Sequence, residues 1–231
     1  KSTPEVIREQ LGIEPEEFDR RFMAWVSQEN KTTVEGFEEW KKGMRRLSEL
    51  VKARDYDGIV REAPAIRDLY PEFVEDGNVY TVLADAYLAR GDAQRAAAEL
   101  ERYARAGGRN PETLKLLAKL KEDLGRPQEA AEVLKRINYI YPRDEEVHRR
   151  LGELLLNAGD ARGAIREFQA LVAMRPIDEA AGRYNLARAY RLAGKNEEAR
   201  EQVLMALEAA PGYRPAQKLL LELSQLKEGN P

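Results

Sequence analysis

The side chains best suited to acid–base chemistry are three adjacent carboxylate pairs, Glu16-Glu17, Glu38-Glu39 and Glu145-Glu146, and a single histidine, His148. Neighbouring residues on a helix point in different directions, so each pair reads as a solvated face or a helix-start charge rather than a catalytic dyad. Nucleophilic catalysis lacks its parts: there is no cysteine, no serine sits in a strand-to-helix elbow, and one histidine serves at most one base. Thiolate metal sites need cysteine, and a His-Glu-x-x-His helix needs two imidazoles, so both are excluded. No Gly-x-Gly-x-x-Gly or phosphate loop occurs, and Gly107-Gly108 reads as a turn between helices. His148 falls on an amphipathic stretch and reads as a partly buried packing residue. The chain alone is therefore read as no enzyme, with no cofactor and no metal.

Charge narrows the remaining classes. With 38 Lys and Arg against 41 Asp and Glu the net charge is −3, which excludes a bulk polycation and argues against nucleic-acid binding through a generally basic body. Hydrophobic residues at 43% and charged residues at 34% suit a folded, helix-rich chain. No apolar run approaches the ~20 residues of a spanning helix. Residues 1–76 hold 13 basic and 18 acidic side chains, net −5, leaving +2 for 77–231, and Pro71 to Asn78 reads as the flexible seam beside that break. The opening Lys1-Ser2-Thr3-Pro4 has neither Met nor an apolar signal region, the mark of a fragment or processed chain, and the compartment is not written in the sequence.

The elements that must position any functional side chain announce themselves by an internal period. Gly91, Gly125, Gly159 and Gly194 are spaced 34, 34 and 35 apart. In phase with them run Ala96, Ala130, Ala164 and Ala199, five places later, and Leu83, Leu117, Leu151 and Leu186, eight places earlier. A small residue follows each leucine: Ala84, Ala118, Gly152 and Ala187. Pro142, Pro176 and Pro211 close three units, and Pro71 ends an earlier, less regular one. Apolar residues recur at three- and four-residue spacing on both sides of each glycine, which predicts a pair of short amphipathic helices joined by a glycine turn. Asp92 and Asp160 are placed to cap the second helices. The small columns predict close helix crossings, Ala84 facing Ala96 and Gly152 facing Ala164.

These columns resemble tetratricopeptide repeats, with Gly152, Leu155, Ala164, Phe168 and Pro176 as the closest single match. The resemblance implies an all-α fold, a right-handed α-solenoid of antiparallel helix pairs. It divides residues 40–213 into five units, 40–76, 77–110, 111–144, 145–179 and 180–213. A helical extension, 1–39, precedes them, with helices near 4–11, 15–29 and 33–53 and with capping boxes at Ser2/Glu5 and Thr32/Glu35. A capping helix with a fraying tail, 214–231, follows and presents Leu219, Leu220, Leu223 and Leu226 on one face. The first unit departs from the pattern, since Arg54 replaces the turn glycine, Ile59 the alanine, and Pro64 interrupts the second helix. Tyr103, Ile137 and Leu171 stand where the family often has alanine, so the resemblance implies the fold and not the superhelix pitch. Residues 11–25 resemble the closing helices of bacterial gluzincin-like metallopeptidase domains, and would imply a zinc peptidase-like domain upstream.

The repeat resemblance implies function by binding, on the groove lined by the first helices. Its solvent-facing places fall on Lys115, Lys119, Arg149, Arg150, Tyr184, Asn185, Arg188 and Arg191, which suit a peptide with acidic side chains or a free carboxylate. Tyr184 with Arg188 and Arg191 is the strongest local group, because aromatic and arginine residues dominate binding hot spots. Glu112, Glu122, Asp123, Glu146 and Glu153 lie among these cations, so a solvated mixed face, with Lys119–Asp123 and Arg149–Glu153 pairs, stands as the other reading. The ordered cations of the carboxylate-clamp subclass are not reproduced in any register. The function expected is a non-catalytic protein-interaction scaffold holding an extended peptide or helix. The alternatives are a regulatory or substrate-presenting region of a zinc peptidase-like protein and a self-assembly module, so the partner is a protein or peptide, with a homo-oligomer left open.

Overall fold

The computed structural model describes residues 2–228, without the side chains of 32, 33 and 226–228. The capping pair at Thr32, the Leu226 of the tail face and the fraying of Gly229-Asn230-Pro231 fall outside the described residues. Among these there are thirteen helices and no strand, in two compact units, Lys1–Gly108 and Arg109–Pro231. The first unit runs α1 Thr3–Leu11, α2 Pro15–Glu29, α3 Lys31–Ala53, α4 Tyr56–Leu69, α5 Val79–Ala89 and α6 Ala93–Arg105. The second runs α7 Pro111–Asp123, α8 Pro127–Ile140, α9 Glu145–Asn157, α10 Ala161–Ala173, α11 Glu179–Leu192, α12 Asn196–Ala209 and α13 Arg214–Glu228. Helices pair in sequence, α3 with α4, α5 with α6, and so on to α11 with α12. No described helix is long and apolar enough to cross a membrane.

The pairing turn is one motif used repeatedly. Gly91, Gly125, Gly159 and Gly194 all take the left-handed conformation, φ 73–81°, which costs glycine nothing. The residue after each sends its N–H back five places, Asp92 to Tyr87 at 2.9 Å and Arg126 to Lys121 at 2.8 Å, so the last carbonyls of the first helix are satisfied. Asp92 and Asp160 then accept from Arg95 N and Gly163 N at 3.0 and 2.8 Å, which starts the second helix. Arg54 makes the same turn at φ 55°, with Asp55 N bonded to Leu50 O at 3.0 Å. A non-glycine residue there costs roughly 1–2 kcal/mol. Arg54→Gly is therefore expected to stabilise the chain by about 1 kcal/mol, read as a raised urea midpoint. A lowered midpoint would show that the Arg54 side chain contributes more than its backbone costs.

Packing follows the columns, with two corrections. Leu83, Leu117, Leu151 and Leu186 are buried, as are Ala84, Ala118, Gly152 and Ala187 and the alanines five places past each turn. What constrains Gly152, however, is Phe168 rather than Ala164: a Cβ on Gly152 would stand 2.6 Å from the Phe168 ring. Pro64 does not interrupt the second helix of the first pair, because α4 runs through it from Tyr56 to Leu69. Ala63 and Ile66, buried on either side, join Leu47, Leu50 and Ile59 in one apolar cluster, and this burial offsets the missing backbone donor. In the second unit α13 closes the stack by burying Leu219 and Leu223 against Val203 and Ala206 of α12.

The segment read as a flexible seam is tied down. Tyr80 Oη donates to the Pro71 carbonyl at 2.7 Å, and Asn78 Nδ2 donates to Glu75 O at 2.9 Å. The boundary between compact units lies instead at Gly108 and Arg109.

Candidate functional site

All eight residues singled out from the sequence lie in the second unit, on α7, α9 and α11. They do not form one set. Lys115 of α7 is nearly buried, its side chain 13% exposed, and its ammonium lies 2.7 Å from Asp144, 3.2 Å from Glu146 and 3.2 Å from Glu112. Burial opposes that charge, but the three carboxylates outweigh it and hold the Lys115 pKa well above the usual lysine range. Burial likewise pushes Asp144 up, and Lys115 together with the Val147 N–H holds it below the usual carboxylate value. Arg150 of α9 reaches Glu122 of α7 at 2.5 Å and Glu146 at 3.4 Å. Lys115 and Arg150, read as solvent-facing, therefore staple α7 to α9, because each spends its charge on carboxylates of both helices.

The other members stay accessible. Arg149 is half-exposed, 3.6 Å from Glu153. Lys119 is exposed and makes no ion pair with Asp123 or any other described carboxylate. On α11 the Arg188 guanidinium stands 5.8 Å from the Tyr184 ring centre and donates to Asn185 Oδ1 at 3.1 Å, while Tyr184 meets the Tyr213 ring edge-on at 5.6 Å. These contacts hold Arg188 in one orientation without neutralising it. Arg191 is paired with Glu222 of α13. Arg188, Arg191 and Leu192 of α11 join Leu156 and Asn157 of α9 around an open pocket of about 460 Å³. Such a pocket offers guanidinium forks beside aliphatic walls, the arrangement that takes a carboxylate next to an apolar group. No group of three or more His, Cys, Asp or Glu able to hold a metal exists among the described residues.

Helix pairs of this kind, with their recurring turn, are matched by two tetratricopeptide repeat family models, at residues 87–154 and 149–214, together more than half of the 231 residues. The chain belongs to the tetratricopeptide repeat family. YrrB, described as a TPR protein with an unusual peptide-binding site, is similar at 20% identity over 80% of this chain and 96% of its own, with a TM-score of 0.58. A MamA structure is similar at 20% identity over 74% and 91%, TM-score 0.54. MamA from Desulfovibrio magneticus RS-1 is similar at 22% over 66% and 95%, TM-score 0.50. At these identities the likeness shows the fold, an all-α helical-repeat solenoid. A search among curated proteins found no match. The repeats make the chain a protein-interaction scaffold.

One feature of the tetratricopeptide repeats was missed from the sequence, a set of buried polar contacts. His148 is buried rather than partly buried, and it is bonded through both ring nitrogens: Nδ1 to Glu167 at 2.9 Å and Nε2 to the Pro142 carbonyl at 3.0 Å. Asn138 Nδ2 donates to the same Glu167 carboxylate at 2.8 Å. Arg67 and Glu99 form the counterpart in the first unit, through two hydrogen bonds of 3.0 and 2.8 Å. The signal was present: His148 and Tyr80 stand eleven places before their turn glycines, and Glu167 and Glu99 eight places after.

Proposed function

We propose that the chain acts by binding and not by catalysis, holding an acidic peptide segment on the face of α9 and α11. The observation that carries this reading is the pocket between Leu156, Asn157, Arg188, Arg191 and Leu192, beside Tyr184. An aspartate, a glutamate or a chain-terminal carboxylate would sit between the two guanidinia, and a neighbouring aliphatic side chain would rest on Leu156 and Leu192. Asn185 orients Arg188, Lys119 and Arg149 add positive charge that speeds encounter, and Lys115 and Arg150 hold the α7–α9 junction beneath. The repeats that present this face are taken as 40–76, 77–110, 111–144, 145–179 and 180–213, with 1–39 as extension and 214–231 as cap. YrrB, with its peptide-binding site, gives the reading a precedent in fold.

Selection from a displayed peptide library tests it. Acidic–aliphatic sequences are expected to be enriched, and the triple substitution Tyr184→Ala, Arg188→Ala, Arg191→Ala is expected to weaken them at least tenfold with helicity unchanged. Glu222→Gln, which frees Arg191, is expected to tighten them. Equal binding by the triple variant would remove the site assignment.

A further inference from the structure

A second hollow of the second unit adjoins the pocket of Arg188 and Arg191. It is a slot of about 200 Å³ between α8 and α9, floored by the buried Ala131 and Leu155 and walled by Pro127, Leu154 and Ala158. On α8 its lining runs from Pro127 to Lys135, about 12 Å of helix at 1.5 Å per residue. The two charged groups at its rim, Glu132 and Lys135, are paired with each other at 2.7 Å, so the slot presents no free charge. Pockets that enclose a whole small ligand measure about 300–1,000 Å³. This slot is smaller, the size for a side chain, and its walls suit an aliphatic one.

Asn157 joins the two hollows, because it lines both. At about 100° of turn per residue, Leu154, Leu155 and Ala158 point to the α8 side of α9 and Leu156 to the α11 side, with Asn157 on a ridge between them. Asn157 is exposed, and its side-chain amide is bonded to no described residue. An amide so placed can both donate to and accept from a peptide backbone that crosses the ridge. We infer, resting on the carboxylate reading of the α9–α11 face, that the acidic peptide held there crosses α9 at Asn157 and sets a second, aliphatic side chain in the slot between α8 and α9. The helix fixes the spacing. The two linings are centred about 130° apart around an α9 cylinder of about 10–12 Å diameter, an arc of roughly 12 Å. Extended chain advances ~3.3 Å per residue, so the aliphatic residue stands about three or four places from the acid. The two hollows divide the work by chemistry: guanidinia take the charge on one side of the ridge, and the uncharged slot takes the oily group on the other.

Fluorescence anisotropy of the 231-residue chain with labelled peptides tests the spacing. The parent probe is a Gly-Ser peptide carrying one Asp with an adjacent Leu, which reports the α9–α11 site alone. The series adds a second Leu at each place along either side. A second Leu about three or four places from the Asp, on one side of it, is expected to tighten binding about tenfold, the scale of burying one aliphatic side chain. Ala158→Trp closes the slot from an exposed position outside the carboxylate pocket, and is expected to abolish that gain while parent binding and helicity stay unchanged. A photoreactive leucine at the favoured place is expected to label α8 between Pro127 and Lys135. A gain at no spacing, an equal gain at all of them, a gain that survives Ala158→Trp, or a label confined to α11 would each overturn the second anchor and leave the carboxylate site standing. Absent parent binding, or parent binding indifferent to Tyr184→Ala, Arg188→Ala, Arg191→Ala, would instead overturn the carboxylate reading, and the second anchor with it.

Discussion

Glu167→Ala is expected to destabilise the second unit by about 3 kcal/mol, because it removes the shared acceptor of a buried cluster. The carboxylate of Glu167, itself buried, takes hydrogen bonds from His148 Nδ1, Asn138 Nδ2 and Arg166 Nε, at 2.9, 2.8 and 3.0 Å. Alanine would leave the buried His148 and the half-buried Asn138 without that acceptor, and the loss is expected in urea unfolding followed by circular dichroism and in faster hydrogen exchange across α9 and α10. The chemistry of the cluster also sets its pH behaviour. The Glu167 carboxylate at Nδ1 and the Pro142 carbonyl at Nε2 are both acceptors, an arrangement that favours the charged form of the His148 ring. The Glu167 hydrogen bond, against the opposing effect of burial and with help from the Pro142 carbonyl and the Asp144 charge, raises the His148 pKa above its ordinary 6.5. Burial pushes Glu167 up, and His148 and Arg166 more than offset it, holding its pKa below the ordinary 4.5.

The signs follow. A histidine with a raised folded pKa contributes stability that is complete below about 6.5 and disappears as pH climbs through the folded value. A carboxylate with a depressed folded pKa contributes above about 4.5 and fades as pH falls through its folded value. The His148–Glu167 contribution is therefore largest between pH 4.5 and 6.5, and the native chain is expected to lose part of it from pH 6.5 to 9. Glu167→Ala should flatten that decline. Glu99→Ala gives the control, because it breaks a buried pair whose cation, Arg67, stays charged throughout. It is expected to cost a similar amount while leaving the slope from pH 6.5 to 9 intact. A slope that survives Glu167→Ala would assign the pH dependence to other groups.

The helix pairs were legible because each rests on local chemistry repeated in phase: a glycine at positive φ, an aspartate cap, a leucine and a small residue. Such signals lie within a few places of one another along the chain. Pro64 was misread for the opposite reason. Its local penalty is real, but Ala63 and Ile66 are buried by α3 and α5, a tertiary gain that a sequence window does not contain. The same distance in sequence hid the fate of Lys115 and Arg150. Both looked like groove cations until Asp144 and Glu122, roughly thirty places away, were brought against them. Arg188 and Arg191 can be grouped from the sequence because they share a helix face, whereas the pocket wall beside them, Leu156 and Asn157, comes from the preceding pair. The bonding of His148 is hidden from apolar columns, because its acid, Glu167, stands nineteen places later on the other helix of the pair.

Gly152→Ala is expected to destabilise the chain by about 1–3 kcal/mol even though alanine is the better helix former by ~0.5–1 kcal/mol. The added Cβ would lie 2.6 Å from Cε1 and 2.8 Å from Cζ of Phe168, a ring with no exposed surface and a tightly filled surround into which it cannot move. The two columns show the compensation elsewhere in the chain. The other units pair Ala84 with Leu100, Ala118 with Leu134 and Ala187 with Val203 at these same positions, and only the unit with the largest residue, Phe168, has the smallest facing it. Gly152 is thus half of a volume exchange. Phe168→Leu alone opens a cavity and is expected to cost a comparable ~1–3 kcal/mol. The double variant Gly152→Ala, Phe168→Leu restores the pairing used by two other units and is expected to recover most of both losses, a coupling of about 1–3 kcal/mol in a double-mutant cycle. Urea unfolding of the four chains measures it. Additive losses would show that the ring and the glycine act independently, and that the column of small residues reflects helix propensity and not a crossing fitted to the side chain opposite.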